Sequence, residues 1–192
     1  MNVLLVCGSI ANKSHTRALL VYLEGLLKKK GIETVFWDLQ SKPLPIALPE
    51  YHQDPMQNPD YTVKKFVSEV DGANAFVLGS PLYHGSYSGV LKNALDNLYY
   101  DAFRNKPVAL VSNGSSLRGT STPCEHLRSV VRTLYGYALQ SQIITGNENY
   151  GTEGSQYILT NEDIQDRCVR MTDELIGLTT AIQLNDSKKK DY

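Results

Sequence analysis

Five short runs along the chain are apolar enough to read as strands: "NVLLVC" (2–7), "ETVFWD" (33–38), "AFVLG" (75–79), "PVALVSN" (107–113) and "LQSQIIT" (139–145). The first, third and fourth are almost free of polar residues. That is the pattern of strands covered on both faces, and each is followed by a segment of helix length. Between the runs the apolar period becomes helical. Leu19, Leu20, Leu23, Leu26 and Leu27 form one stripe on a helix expected from about Thr16 to Lys30 and ended by Gly31. Val90, Leu91, Ala94, Leu95 and Leu98 form a second stripe; Ile164, Cys168, Met171, Leu175, Leu178 and Ile182 form a third, which makes Cys168 a core residue. This alternation predicts an α/β domain, a five-stranded parallel sheet with helices on both faces. The stretch 41–60, "SKPLPIALPEYHQDPMQNPD", carries five prolines between positions 43 and 59. No helix interior or central strand accommodates that density, so a long ordered loop over one edge of the active face is expected.

Length and charge narrow the partners. A chain of 192 residues is expected to form one domain over 1–184, with 185–192 as a disordered tail. At that size it can bury roughly 70% of its extended-chain surface, enough for a core without staples. Nineteen basic against twenty acidic residues leave no global field arguing for a nucleic-acid or membrane partner. Cys7, Cys124 and Cys168 lack CxxC or ligand-like spacing, so no disulfide framework and no metal site are expected, and a reducing cytoplasm is the expected location. Residues 2–9 are too short a run for a membrane span and lack the basic leader of a signal peptide. The mature chain is therefore expected to start at Met1.

Ligands of open parallel sheets bind at the carboxyl ends of the strands, where strand order reverses, so the loops after the first, third and fourth strands matter most. The first, "GSIANKSHT" (8–16), brings Ser9, Ser14, His15 and Thr16 to a helix N-terminus, whose unpaired N–H groups and dipole favour an anion such as a phosphate monoester; Ser14 or Thr16 acting only as a helix cap is the competing reading. Neither GxxxxGK[ST] nor GxGxxG is present, which argues against a nucleoside triphosphate or a standard dinucleotide site. The second, "SPLYHGSYSG" (80–89), crowds Pro81, Tyr83, His84, Gly85, Tyr87 and Gly89 between a strand and a helix, where backbone amides and aromatic carbon suit a planar ring; a tyrosine-rich surface turn is the competing reading. The third, "SNGSSLRGTS" (112–121), adds Asn113, Gly114, Ser115, Arg118 and Gly119. Together the three describe a phosphate at one end and a flat polar ring at the other, the shape of FMN.

In order and spacing these loops resemble those of the NADPH-dependent FMN reductase family, over roughly residues 2–145. Gly8, Ser9 and Ser14 match its first motif, GSxRxxSxN; Pro81, Tyr83, Ser86, Gly89, Leu91, Lys92, Asn93, Ala94 and Asp96 match its second, PEYNxSxxGxLKNAxD. The resemblance implies a flavodoxin-like fold with strand order 2-1-3-4-5, FMN as cofactor, NADPH or NADH as co-substrate and a homodimer or homotetramer. It implies a ping-pong reaction, hydride passing to FMN and then to a flavin, quinone, azo or metal-ion acceptor. Ser9, Ser14, His15 and Thr16 would hold the phosphate, Pro81, Leu82, Tyr83, His84 and Gly85 would border the ring, and Asn113, Gly114, Ser115 and Gly119 would close the site. Arg118 would meet the flavin edge or a nicotinamide phosphate. Chemistry on the cofactor requires no catalytic residue from the protein.

Four positions depart from the pattern. Ala11 stands where the family commonly has arginine, Thr16 and His84 where it has asparagine, and Leu82 where it has glutamate. A hydrogen bond to a charged group is worth about 1.5–3 kcal/mol, so the alanine implies weaker FMN binding, with Lys13 and His15 as candidate substitutes for the lost charge. The alternative class is a non-enzymatic flavodoxin-like electron carrier or flavin-binding regulator. The near-neutral charge and the spacing of the first loop disfavour it.

Overall fold

The structure, a computed structural model, describes residues 1–115 and 118–190, with side chains described as far as residue 185. Strands β1 (Asn2–Cys7), β2 (Glu33–Asp38), β3 (Ala75–Pro81), β4 (Pro107–Gly114) and β5 (Tyr137–Gly146) form one sheet in the order β2-β1-β3-β4-β5. Every pairing is parallel. This is the flavodoxin-like arrangement expected above, and the order reverses at β1. Two cores flank the sheet. Helices α1 (His15–Lys29) and α5 (Glu162–Lys190) pack on Val3, Leu5, Val77 and Val111. Helices α2 (Tyr61–Gly72), α3 (Gly89–Asp96) and α4 (Thr122–Thr133) pack on Leu4, Val6, Phe76, Leu78 and Leu110. Alternate residues of β1 serve opposite cores, the direct consequence of the two-residue repeat of a strand.

Local chemistry sets the helix ends. Ser14 caps α1 from an extended conformation, its side chain accepting from the Arg17 N–H. Lys28 and Lys29 occupy the last turn, and Gly31 takes a φ of +73° to turn the chain toward β2. In α5 Ile164, Cys168, Met171 and Leu175 are buried as the stripe predicts, but Leu178 is exposed. A four-residue step from Leu175 puts Thr179 against the sheet instead. Its hydroxyl and that of Thr172 donate back to the Leu175 and Cys168 carbonyls, at 2.6 and 2.8 Å, which removes the penalty of burying them. The backbone of 185–190, expected in a tail, forms the last turns of α5; residues 191 and 192 lie outside the described residues.

Two features were not legible as elements. Beyond the five expected runs, β6 (Tyr150–Glu153) and β7 (Gln156–Leu159) pair as an antiparallel hairpin that packs against α1. Each strand has four residues, too few for alternation to register. The proline-rich stretch is ordered, as expected, with single 3₁₀ turns at Pro49–Tyr51 and Pro55–Gln57. It is pinned to α3: Asn93 donates to the Leu44 and Pro45 carbonyls and accepts from the Ala47 N–H, while Asn97 donates to Pro45. Asn93, part of the second motif, is therefore spent on loop anchoring. Among the described residues no helix is long and apolar enough to cross a membrane.

Two glycines give opposite expectations. A Cβ at Gly8 would lie 2.9 Å from the Gly79 carbonyl oxygen and 2.9 Å from Leu91 Cβ, neither of which can swing aside, whereas one at Gly25, within α1, meets nothing within 4 Å. Gly8→Ala is expected to destabilise the fold by about 1–3 kcal/mol through overpacking, and Gly25→Ala to stabilise it by about 1 kcal/mol through helix propensity. Urea unfolding midpoints at constant slope check both.

Candidate functional site

At the carboxyl edge of the sheet the three loops are sewn to one another. The Gly8 N–H donates to the Gly79 carbonyl at 2.8 Å. Ser88, the buried N-cap of α3, donates its hydroxyl to the Gly8 carbonyl at 2.6 Å and its N–H to Ser80 Oγ at 2.9 Å. The Leu82 N–H reaches the Asn113 carbonyl at 2.7 Å, joining the second loop to the third. Asn113 Nδ2 continues to the carbonyl and hydroxyl of Thr145, and Ser112 Oγ donates to the Thr120 carbonyl.

These bonds enclose a cavity of about 230 Å³ lined by Ser9, Ala11, Lys13, Ser14, His15, Thr16, Pro81, Leu82, Tyr83, Asn113, Gly114 and Ser115. Ten of the fourteen residues singled out from the sequence meet there. His84, Gly85, Arg118 and Gly119 do not line it. His84 and Gly85 have φ of +48° and +78° and sit between Tyr83 and Ser86, whose main chains exchange both hydrogen bonds. That is a two-residue turn of the type with both central φ positive, so the histidine is exposed and shapes the loop. Gly119, at +72°, passes Leu82 closely enough that an added Cβ would touch its side chain. Arg118 is exposed in the same turn.

The lining suits an anion. Among the described residues lining the cavity there is no carboxylate. The first N–H groups of α1 have no intrahelical acceptor and carry the positive end of the helix dipole. Ser14 accepts as the cap, which uses a lone pair and leaves its hydroxyl proton free to donate, so capping and ligand binding are compatible. His15 is packed among aromatic rings. Its ring stacks on Tyr157 at 3.6 Å between centroids and tilts against Tyr150 at 4.8 Å. Burial and then the Lys13 ammonium push its pKa below the ordinary histidine value. Lys13 lies 4.2 Å from the Tyr157 ring centroid, so the hairpin contacts both Lys13 and His15.

A larger cavity, about 540 Å³, lies between α1 and the β6–β7 hairpin, lined by Arg17, Val21, Tyr22, Asp38, Gln40 and Tyr157 among others. It contains none of the glycine- and hydroxyl-rich residues of the second and third loops. The smaller cavity at the strand ends is the functional candidate. Residues that the sequence reading passed over are Arg17, Asp38, Tyr150, Tyr157 and His126, whose Nδ1 lies 2.8 Å from Ser86 Oγ and tethers the turn. One signal pointed to Arg17: a cation in the first turn of a helix opposes the dipole and requires a reason.

A family model described as NADPH-dependent FMN reductase matches residues 1–149. An FMN-dependent NADPH-azoreductase of Staphylococcus saprophyticus is 38% identical over 181 residues, 92% of this chain and 94% of the relative. The Staphylococcus aureus protein of the same description is 36% identical over 178 residues, with the same coverage. Among solved structures, the flavoenzyme NAD(P)H:(acceptor) oxidoreductase of Paracoccus denitrificans superposes with a TM-score of 0.75 at 18% identity, over 94% of this chain and 97% of its own. At that identity the likeness concerns the fold.

Two outcomes follow from the site's electrostatics. Burial pushes the Cys7 and Cys124 thiols up to about 11 and Cys168 to about 12; native protein at neutral pH is expected to resist a chromogenic disulfide reagent until denatured. For His15, whose folded pKa is lowered, the unfolded chain binds the proton more readily. Its contribution to stability is present above pH 6.5 and lost as pH falls below it. An NMR titration is expected to place its midpoint below 6.5, with Lys13→Ala moving it upward only in part, since burial is the larger cause.

Proposed function

Because the chain belongs to the NADPH-dependent FMN reductase family, we propose that the cavity at the strand ends seats FMN and that the enzyme works by a ping-pong scheme. The chain is an FMN-dependent NADPH oxidoreductase. The proposal concerns where the cofactor sits, what accepts the electrons and in which order. It is carried by one observation: three separate loops converge on one carboxylate-free cavity at the N-terminus of α1, beside the point where strand order reverses.

In this reading the main chain and hydroxyls of Ser9, Ser14 and Thr16, with the His15 N–H, hold the phosphate. Pro81, Leu82 and Tyr83 border the ring, their loop shaped by the His84–Gly85 turn. Asn113, Gly114 and Ser115 close the far side, with Gly119 behind Leu82, and Arg118 is the rim cation offered to the flavin edge or to a nicotinamide phosphate. Bound FMN supplies the chemistry, taking a hydride from NADPH or NADH and passing two electrons to an acceptor. The protein would hold the phosphate and orient the ring. The acceptors proposed are azo compounds first, after the relatives' descriptions, then quinones, flavins and metal ions. We also propose a cytoplasmic location and a homodimer or homotetramer.

Purified protein is expected to bind FMN and to have that flavin bleached by NADPH or NADH anaerobically. Reoxidation by an azo dye should follow, with parallel double-reciprocal lines when both substrates are varied. Intersecting lines would refute the ping-pong order. Flavin that binds but is reduced by neither nicotinamide would return the chain to the electron-carrier class.

A further inference from the structure

The guanidinium of Arg17 sits behind the first loop with its donors fully committed. Nε donates to Asp38 Oδ2 at 2.5 Å and Nη2 to Asp38 Oδ1 at 3.1 Å. Nη2 also reaches the Ser9 carbonyl at 3.3 Å, and Nη1 the Ala11 and Asn12 carbonyls at 2.8 and 3.3 Å. A guanidinium has five N–H donors, and these contacts use all of them. Both partners of the ion pair are 16% exposed at the side chain, so the pair is shielded from solvent. The loop receives a further tie from the same strand end: Gln40, whose own N–H donates to Asp38, donates its side chain to Asn12 Oδ1.

Peptide geometry converts these contacts into a statement about the site. In a planar trans peptide the carbonyl of one residue and the N–H of the next point in opposite directions. Drawing the Ser9, Ala11 and Asn12 carbonyls onto Arg17 therefore turns the N–H groups of Ile10, Asn12 and Lys13 away from it. Ser9, Ala11 and Lys13 line the cavity at the strand ends, while Asn12 and Arg17 line the larger one. We propose that Arg17, held by Asp38, is a positioning residue for phosphate binding: it orients the peptide planes of residues 9–13 so that their N–H groups form the anion cradle, without itself touching the ligand. This supplies by geometry what the alanine at position 11 withholds by charge. It rests on the assignment of FMN to this cavity.

The test compares two flavins that differ only in the phosphate. Dissociation constants for FMN and riboflavin are measured by flavin fluorescence on wild-type protein and on Arg17→Leu, Arg17→Lys and Asp38→Asn, with circular dichroism confirming the fold. A brace for the cradle weakens FMN binding by about tenfold or more in Arg17→Leu while riboflavin changes by less than about twofold; Arg17→Lys, which keeps the charge and loses the fork, falls between. Asp38→Asn gives a sign test. If charge alone mattered, deleting a carboxylate near a dianion site would tighten FMN; the brace requires that it loosen. Equal loss of both flavins, unchanged FMN affinity or tighter FMN binding by Asp38→Asn would each overturn the proposal. Should Arg17→Leu fail to fold, the other two variants decide by the same ratio. Wild-type protein that binds neither flavin would overturn the FMN assignment and the brace with it, whereas failure of the brace alone leaves a wild type that prefers FMN.

Discussion

Polar side chains buried at the carboxyl ends of β3 and β4 must find hydrogen-bond partners inside the protein, and the partners within reach are the main chains of three loops. Ser80, Ser88, Ser112, Asn113 and Thr145 are each less than a tenth exposed. A buried group left unpaired costs about 1–3 kcal/mol, so each works as a clamp on the loop it engages. Ser88 binds the start of the first loop to α3, Leu82 binds the second loop to the third through the Asn113 carbonyl, and Asn113 carries the seam on to β5. The cavity is the space these clamps leave open. Its dimensions are set by strand spacing and by a few short side chains.

The seam also bears on the donors available at the proposed anion site. The seam uses the N–H groups of Gly8, Leu82 and Ser88, while the Arg17 guanidinium holds Ser9, Ala11 and Asn12 through their carbonyls. The cations nearby have other work: the Arg17 guanidinium is taken by Asp38 and three carbonyls, and the Lys13 ammonium lies over Tyr157. His15 is driven toward its neutral form by burial and by Lys13. A dianion bound there meets the helix dipole and oriented N–H groups, a weaker but geometrically stricter attraction than a free arginine.

The short hairpin after β5 belongs to the same design. Tyr150 bonds the Thr145 hydroxyl at 2.8 Å and touches the His15 ring, and Tyr157 stacks on that ring. The hairpin thereby links the end of the sheet to the N-terminus of α1. It meets the first loop where α1 begins.

Period alone determined most of the architecture. Five apolar runs, three of them nearly continuous, specify a sheet covered on both faces, and the leucine stripe of residues 19–27 specifies α1, because a two-residue and a 3.6-residue repeat can each satisfy burial in only one element type. The three loops were legible because glycine, proline and hydroxyl residues cluster where strands end. What tertiary structure decided were the pairings between residues far apart in sequence. That Arg17 answers Asp38, that Tyr157 covers His15 and that Asn93 anchors residues 44–47 follow from how strand ends and helix starts are placed side by side. A local pattern holds the identity of each partner but not the distance between them; only closure of the parallel sheet, through crossovers of tens of residues, brings them into contact.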